Sequence, residues 1–284
     1  MGDNTTAAGA LAGVATEPGV TKPDPILTAD GVSRSFGGLV AVDVAHLELQ
    51  RGAITALIGP NGAGKTTLFN VLTGFDRANS GRWTFDGTSL SGVSAYRVAR
   101  NGMVRTFQLT KALSRLTVLE NLQLAATGQR GEGLFTALVR PLWREQEAQN
   151  RQRADELLQR FRLEHLRDAH AGTLSGGQRK LLELARALMV RPTMLMLDEP
   201  MAGVNPALAQ SLLEHIAQLR DEGLTVCFVE HDMDVVMGIS DWVVCMGDGQ
   251  VIAEGPPAAI GTNPAVVDAY LGKQHGSPPQ KESP

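Results

Sequence analysis

The sequence is poor in cysteine, carries no surplus of basic charge, and offers no apolar run long enough to cross a membrane. Only Cys227 and Cys245 occur in its 284 residues, both inside apolar strand-like runs. Such a pair reads as buried reduced thiols, which suits a cytosolic protein better than a secreted one. Lys and Arg number 26 against 30 Asp and Glu, a formal charge of −4. That balance lacks the basic footprint of a nucleic-acid binder. No window approaches the roughly eighteen apolar residues of a membrane helix, so any work at a membrane needs a partner chain. Residues 1–25, rich in Ala, Gly, Thr and Pro, also lack the basic start and compact apolar centre of a signal peptide. They are expected to form a disordered leader, and the polar tail 273–284 is expected to be unstructured too.

What is present is organised around Gly59-Pro60-Asn61-Gly62-Ala63-Gly64-Lys65-Thr66-Thr67. This stretch fits the phosphate-binding pattern G-x-x-x-x-G-K-[ST], and its context fits too: the apolar run Ile54–Ile58 precedes it and a helical pattern follows. Glycines let consecutive backbone N–H groups turn around an anion, and the helix start aims its positive dipole end at the same place. A polyphosphate is the guest this predicts. Lys65 would reach its β- and γ-phosphates, and the Thr66 hydroxyl would ligate a bridging Mg²⁺.

A second glycine-rich helix start is predicted at Leu174-Ser175-Gly176-Gly177-Gln178, with Ser175 as N-cap. One chain has one triphosphate to hold, so a second anion site suggests that two chains share each nucleotide. Met194–Leu197 reads as a buried parallel strand delivering Asp198 and Glu199 at its carboxyl end, where ligands of open α/β sheets bind. Asp198 is placed for the Mg²⁺ shell and Glu199 for an attacking water. His231 follows another such strand, Leu224–Val229; it is either a γ-phosphate contact or a structural histidine. Phe36, before Gly37-Gly38, either stacks on a purine or belongs to the core. Gln108 ends a short strand candidate at Met103–Phe107.

Antiparallel strands are expected before the phosphate loop, including Ala41–Gln50, and hairpins are expected across Asp86-Gly87 and Asp248-Gly249. From about 109 to 172 the pattern is helical. It includes a capping box at Thr117 and Glu120 and a helix over Arg144–Arg162. The apolar segment Gly131–Trp143 reads either as packing or as an interface.

Taken together, GPNGAGKTT, Gln108, LSGGQ, MLMLDEP and His231 make the chain resemble the ATP-binding subunit of ABC transporters over roughly residues 26–272. The resemblance implies an α/β P-loop NTPase fold with a RecA-like core, an antiparallel β-subdomain and a helical subdomain. It implies ATP and Mg²⁺ as ligands and a second ATPase subunit closing head to tail. Ser175, Gly177 and Gln178 of one subunit would then cover the γ-phosphate held by the other. It further implies Phe36 as the adenine-stacking aromatic, Gln108 as the residue joining Mg²⁺ to the membrane partner, Glu199 as catalytic base and His231 as the switch histidine. Many family members carry an acid where this chain has Asn205.

FGGLVAV, VRTFQ, EHDMDVVMGISD and the ending Ala269-Tyr270-Leu271-Gly272 are most similar to subunits of branched-chain amino-acid importers. That implies transmembrane permease partners, indirectly a substrate-binding protein, and a place at the cytoplasmic face of the membrane. Urea importers and the lipopolysaccharide-exporting ATPase are similar too. A soluble ABC ATPase acting on ribosomes or DNA is the reading from another class; it would usually carry two cassettes or a long coiled-coil insertion, neither of which is present.

Overall fold

The computed structural model describes residues 7–106, 111–126 and 141–271. Its elements, in chain order, are α1 (Ala7–Ala10), β1 (Pro25–Phe36), β2 (Leu39–Gln50), β3 (Ile54–Ile58), α2 (Lys65–Leu72), β4 (Ser80–Phe85), β5 (Thr88–Ser89), α3 (Ala95–Arg100), β6 (Met103–Arg105) and α4 (Val118–Ala125). They continue with α5 (Pro141–Arg160), α6 (Gly176–Met189), β7 (Met194–Asp198), α7 (Pro206–Asp221), β8 (Thr225–Val229), α8 (Met233–Ile239), β9 (Trp242–Gly247), β10 (Gln250–Gly255), α9 (Pro257–Ile260) and α10 (Pro264–Leu271). The chain divides into two compact units, Met1–Val98 with Ile216–Pro284, and Ala99–His215.

In the first unit β1 and β2 form a long antiparallel ribbon, with Val32 opposite Val44 and Phe36 opposite Leu39. Val42 and Val44 of β2 are buried while Asp43 and Ala45 face outward, the two-residue period of a half-covered strand. Strand β4 pairs with the other edge of β1 and turns into β5 through Asp86 and Gly87, whose φ angles of 46° and 72° are those of a type I′ hairpin. A second set of strands has β3 parallel to both β8 and β9, with Leu57 opposite Val229 and Val244, and β10 antiparallel to β9. Every residue of β3 and of β8 is buried, as expected of parallel strands covered on both faces.

The stretch before β1 departs from the expected disordered leader. Leu11 is buried, and residues 19–22 are fastened to β10 by a buried ion pair. Lys22 Nζ lies 2.6 Å from Glu254 Oε2, with both side chains sealed from solvent, and 4.6 Å from the centre of the Trp242 ring. Gly19 N and Val20 N donate to Glu254 Oε1, and Trp242 Nε1 donates to Oε2. A buried carboxylate survives only when its lone pairs are filled, and here four donors fill them. The composition of residues 1–25 hid this because the partner lies 232 residues away.

The second unit joins a short parallel pair to helices. Strand β6 runs beside β7, with Val104 opposite Leu195, and Met194–Leu197 is fully buried. Helix α4 opens with the expected capping box: Glu120 N donates to Thr117 Oγ1 and Thr117 N donates to Glu120 Oε2. Helix α5 begins three residues earlier than expected and buries Ala154, Leu157 and Leu158, with Phe161 buried just beyond its end. Helix α6 buries Leu181, Leu184, Ala185 and Leu188, the inward face its sequence predicts. The compact unit is wider than the helical stretch 109–172, because it also takes in β6, α6 and β7. The apolar segment 131–143 falls almost wholly outside the described residues.

Candidate nucleotide-binding site

The phosphate loop leaves β3 and runs into α2 within the first unit. Gly59 has φ 145°, and a Cβ there would sit 2.2 Å from the Met246 carbonyl oxygen of β9. Gly64, at φ 96°, is the N-cap of α2, and its Cβ would lie 2.3 Å from the carbonyl oxygen of Ala41. Only glycine fits either place. The loop is backed by the β9–β10 turn: Gly249 N donates to Ala63 O, and Asp43 N donates to Gly249 O. Lys65 Nζ donates to the carbonyls of Gly59 at 2.6 Å and Pro60 at 3.0 Å, which curls the ammonium over the loop. No side chain caps α2. Its first-turn donors are therefore not claimed by a capping residue, as an anion site requires.

Other expected residues of this unit lie on its strand ends. Leu57 and Val229 pair across β3 and β8, so the chain leaves both strands at one level: Gly59 follows one and His231 the other. His231 is exposed, and its N donates to Glu230 Oε2, while Asp232 caps α8 by accepting from Asp234 N and Val235 N. Phe36 is 47% exposed, which argues against the core alternative. The Arg34 guanidinium lies 4.3 Å from its ring centre and is itself held in a two-bond fork by Asp76. The cation fixes the ring's pose, a role the sequence pattern did not signal.

The second unit carries the remaining groups. Asp198 ends β7, and its Oδ2 accepts a 2.6 Å hydrogen bond from Arg105, a buried guanidinium at the end of β6. Glu199 is exposed and sits at φ 47°, a left-handed conformation that costs a non-glycine residue of order 1 kcal/mol. Strain held at an acid directly after a buried strand is the kind that persists where it positions a functional group. Ser175 caps α6 as expected, accepting from Gln178 N at 3.3 Å, while Ser175 N donates to Gln178 Oε1 at 2.9 Å. Gly177 is buried, and a Cβ there would fall 1.5 Å from Leu208 Cδ2 of α7. Asn205, where many relatives are expected to carry an acid, caps α7 by accepting from Leu208 N. Gln108 lies outside the described residues.

A family model described as ABC transporter matches residues 42–202. The chain belongs to the ABC transporter ATP-binding family. A second model, described as branched-chain amino acid ATP-binding cassette transporter, matches residues 250–276. The cassette is 43% identical over 249 residues to the probable branched-chain amino acid transport ATP-binding protein LivG of Archaeoglobus fulgidus, spanning 88% of this chain and 96% of that one. It is 41% identical to the high-affinity branched-chain amino acid transport ATP-binding protein BraF of Pseudomonas aeruginosa, over 88% of this chain and 98% of that one. Among solved structures, a nucleotide-free ATP-binding cassette from an ABC transporter superposes with TM-score 0.76 at 38% identity, covering 87% of this chain and 98% of that one. The ADP conformation of such a cassette gives 0.76 at 37% identity, over 87% and 99%. The protein is an ATP-hydrolysing cassette with the α/β fold of that family.

Cys227 and Cys245 are free and buried, and burial pushes their thiols up to about 12 and about 11. Among the described residues no helix is long and apolar enough to cross a membrane.

Proposed function

We propose that the protein energises uptake of branched-chain amino acids through separate permease subunits, as a peripheral ATPase on the cytoplasmic face of the membrane. The observation that carries this reading is the match of residues 250–276 to the branched-chain cassette model, since the remaining motifs serve ABC systems of any cargo. The names of the relatives point the same way.

In this reading Phe36 stacks on adenine. The backbone donors of residues 61–67, among them Gly62, Gly64 and Lys65, hold the phosphates, and the Lys65 ammonium neutralises charge on the β- and γ-groups. The Thr66 hydroxyl and the Asp198 carboxylate are hard oxygen donors of the type Mg²⁺ accepts, completed by water and phosphate oxygens. The metal would screen the phosphate charge. Gln108 would add a further oxygen ligand and touch the permease side. Glu199 orients and deprotonates the attacking water, and His231 contacts the γ-phosphate. Ser175, Gly177 and Gln178 come from a second ATPase subunit and close over the nucleotide. A binding protein delivers the amino acid on the far side.

Reconstitution with the permeases that copurify from membranes tests the proposal. ATP turnover should rise when a leucine-loaded binding protein is added. A rise with a urea-loaded binding protein, and none with leucine, would overturn the assigned cargo.

A further inference from the structure

The C-terminal helix reaches the nucleotide loop through one hydroxyl. Gly59 N donates to Tyr270 Oη at 2.9 Å, across 211 residues of sequence. Tyr270 sits near the end of α10, inside the segment 250–276 that matches the branched-chain cassette model. Burial pushes its phenol above its ordinary value, so the hydroxyl stays neutral at working pH. Gly59 is also the residue whose carbonyl receives Lys65 Nζ at 2.6 Å. Its two peptide groups are therefore held at once, the N–H by Tyr270 and the C=O by the lysine that meets the phosphates. At φ 145°, beside the Met246 carbonyl, the position admits only glycine, so this peptide's orientation is left to its hydrogen bonds.

We propose that Tyr270 is a positioning residue for ATP binding: its hydroxyl fixes the first peptide of the phosphate loop, and through Gly59 it sets where the Lys65 ammonium rests. Without it, the peptide that carries the Gly59 N–H is free to reorient, and a changed φ at Gly59 shifts the following peptide, whose carbonyl holds Lys65. By linkage, nucleotide held in the loop alters the surroundings of the Tyr270 hydroxyl in turn. This rests on the loop's geometry and the ATPase activity, not on the cargo.

The test uses Tyr270→Phe in the full chain, which keeps the ring and removes one hydrogen bond. The KM for ATP should rise about three- to tenfold, the range expected for one lost bond, with kcat changed less than about twofold. The sequence has only two tyrosines, Tyr96 and Tyr270. Protein labelled with 3-fluorotyrosine therefore gives two ¹⁹F signals, assigned with Tyr96→Phe, whose residue is exposed. ATP should shift the Tyr270 signal. A KM within about 1.5-fold of wild type, whatever happens to Tm, overturns the proposal. So does a Tyr270 signal that ATP leaves in place.

Discussion

The two glycine-rich helix starts look alike in sequence and are built differently. At α2 the N-cap is Gly64 in a left-handed conformation, with no side-chain cap hydrogen bond. At α6 the N-cap is Ser175, whose hydroxyl and whose partner Gln178 close a capping box. The first helix has no side-chain cap on its backbone donors; the second satisfies part of its own end through Ser175 and Gln178. Glycine also serves different ends. Gly64 is needed for its φ and for the nearby Ala41 carbonyl, whereas Gly177 is needed because Leu208 occupies the space a side chain would take.

That contrast, and the roles proposed for the two sites, can be broken in graded steps. The largest effect belongs to Glu199→Gln, which should lower kcat by about 10²–10⁴ while ATP still binds, trapping a closed dimer visible by size-exclusion chromatography. Undiminished turnover would remove Glu199 from the proposed role. Next is Gly64→Ala, whose Cβ meets backbone in a conformation alanine disfavours; affinity for a fluorescent ATP analogue should fall by at least about 30-fold. Gly177→Ala should cost about 1–3 kcal/mol by overpacking, read by denaturant unfolding, and Leu208→Ala in the same chain should recover part of it. If the double variant is no better, the contact with α7 is not what requires glycine there. Smallest is Ser175→Ala, worth about 1 kcal/mol for the lost cap, with ATP affinity of the isolated subunit unchanged. A matching loss of affinity would erase the distinction between the two helix starts.

Local signals were legible wherever the chemistry was local. The Asp86-Gly87 and Asp248-Gly249 turns, the Thr117–Glu120 box, the Ser175 cap and the buried runs at β3, β7 and β8 all lie where their residues predict. Each is set by residues within a few positions of one another. What sequence reading missed was partnership at a distance. Arg105 on Asp198, Arg34 against Phe36, and Lys22 on Glu254 join segments that no short pattern links.

From the sequence alone came the strand–loop–helix of the phosphate-loop pattern, the acids at the end of β7 and the family, because glycine spacing, apolar runs and capping residues act through the backbone nearby. Only the tertiary structure decided that the presumed leader is anchored by a buried ion pair, and that Tyr270 holds the peptide at Gly59. Those contacts depend on folding segments more than 200 residues apart into hydrogen-bond range, and no local propensity encodes such a meeting.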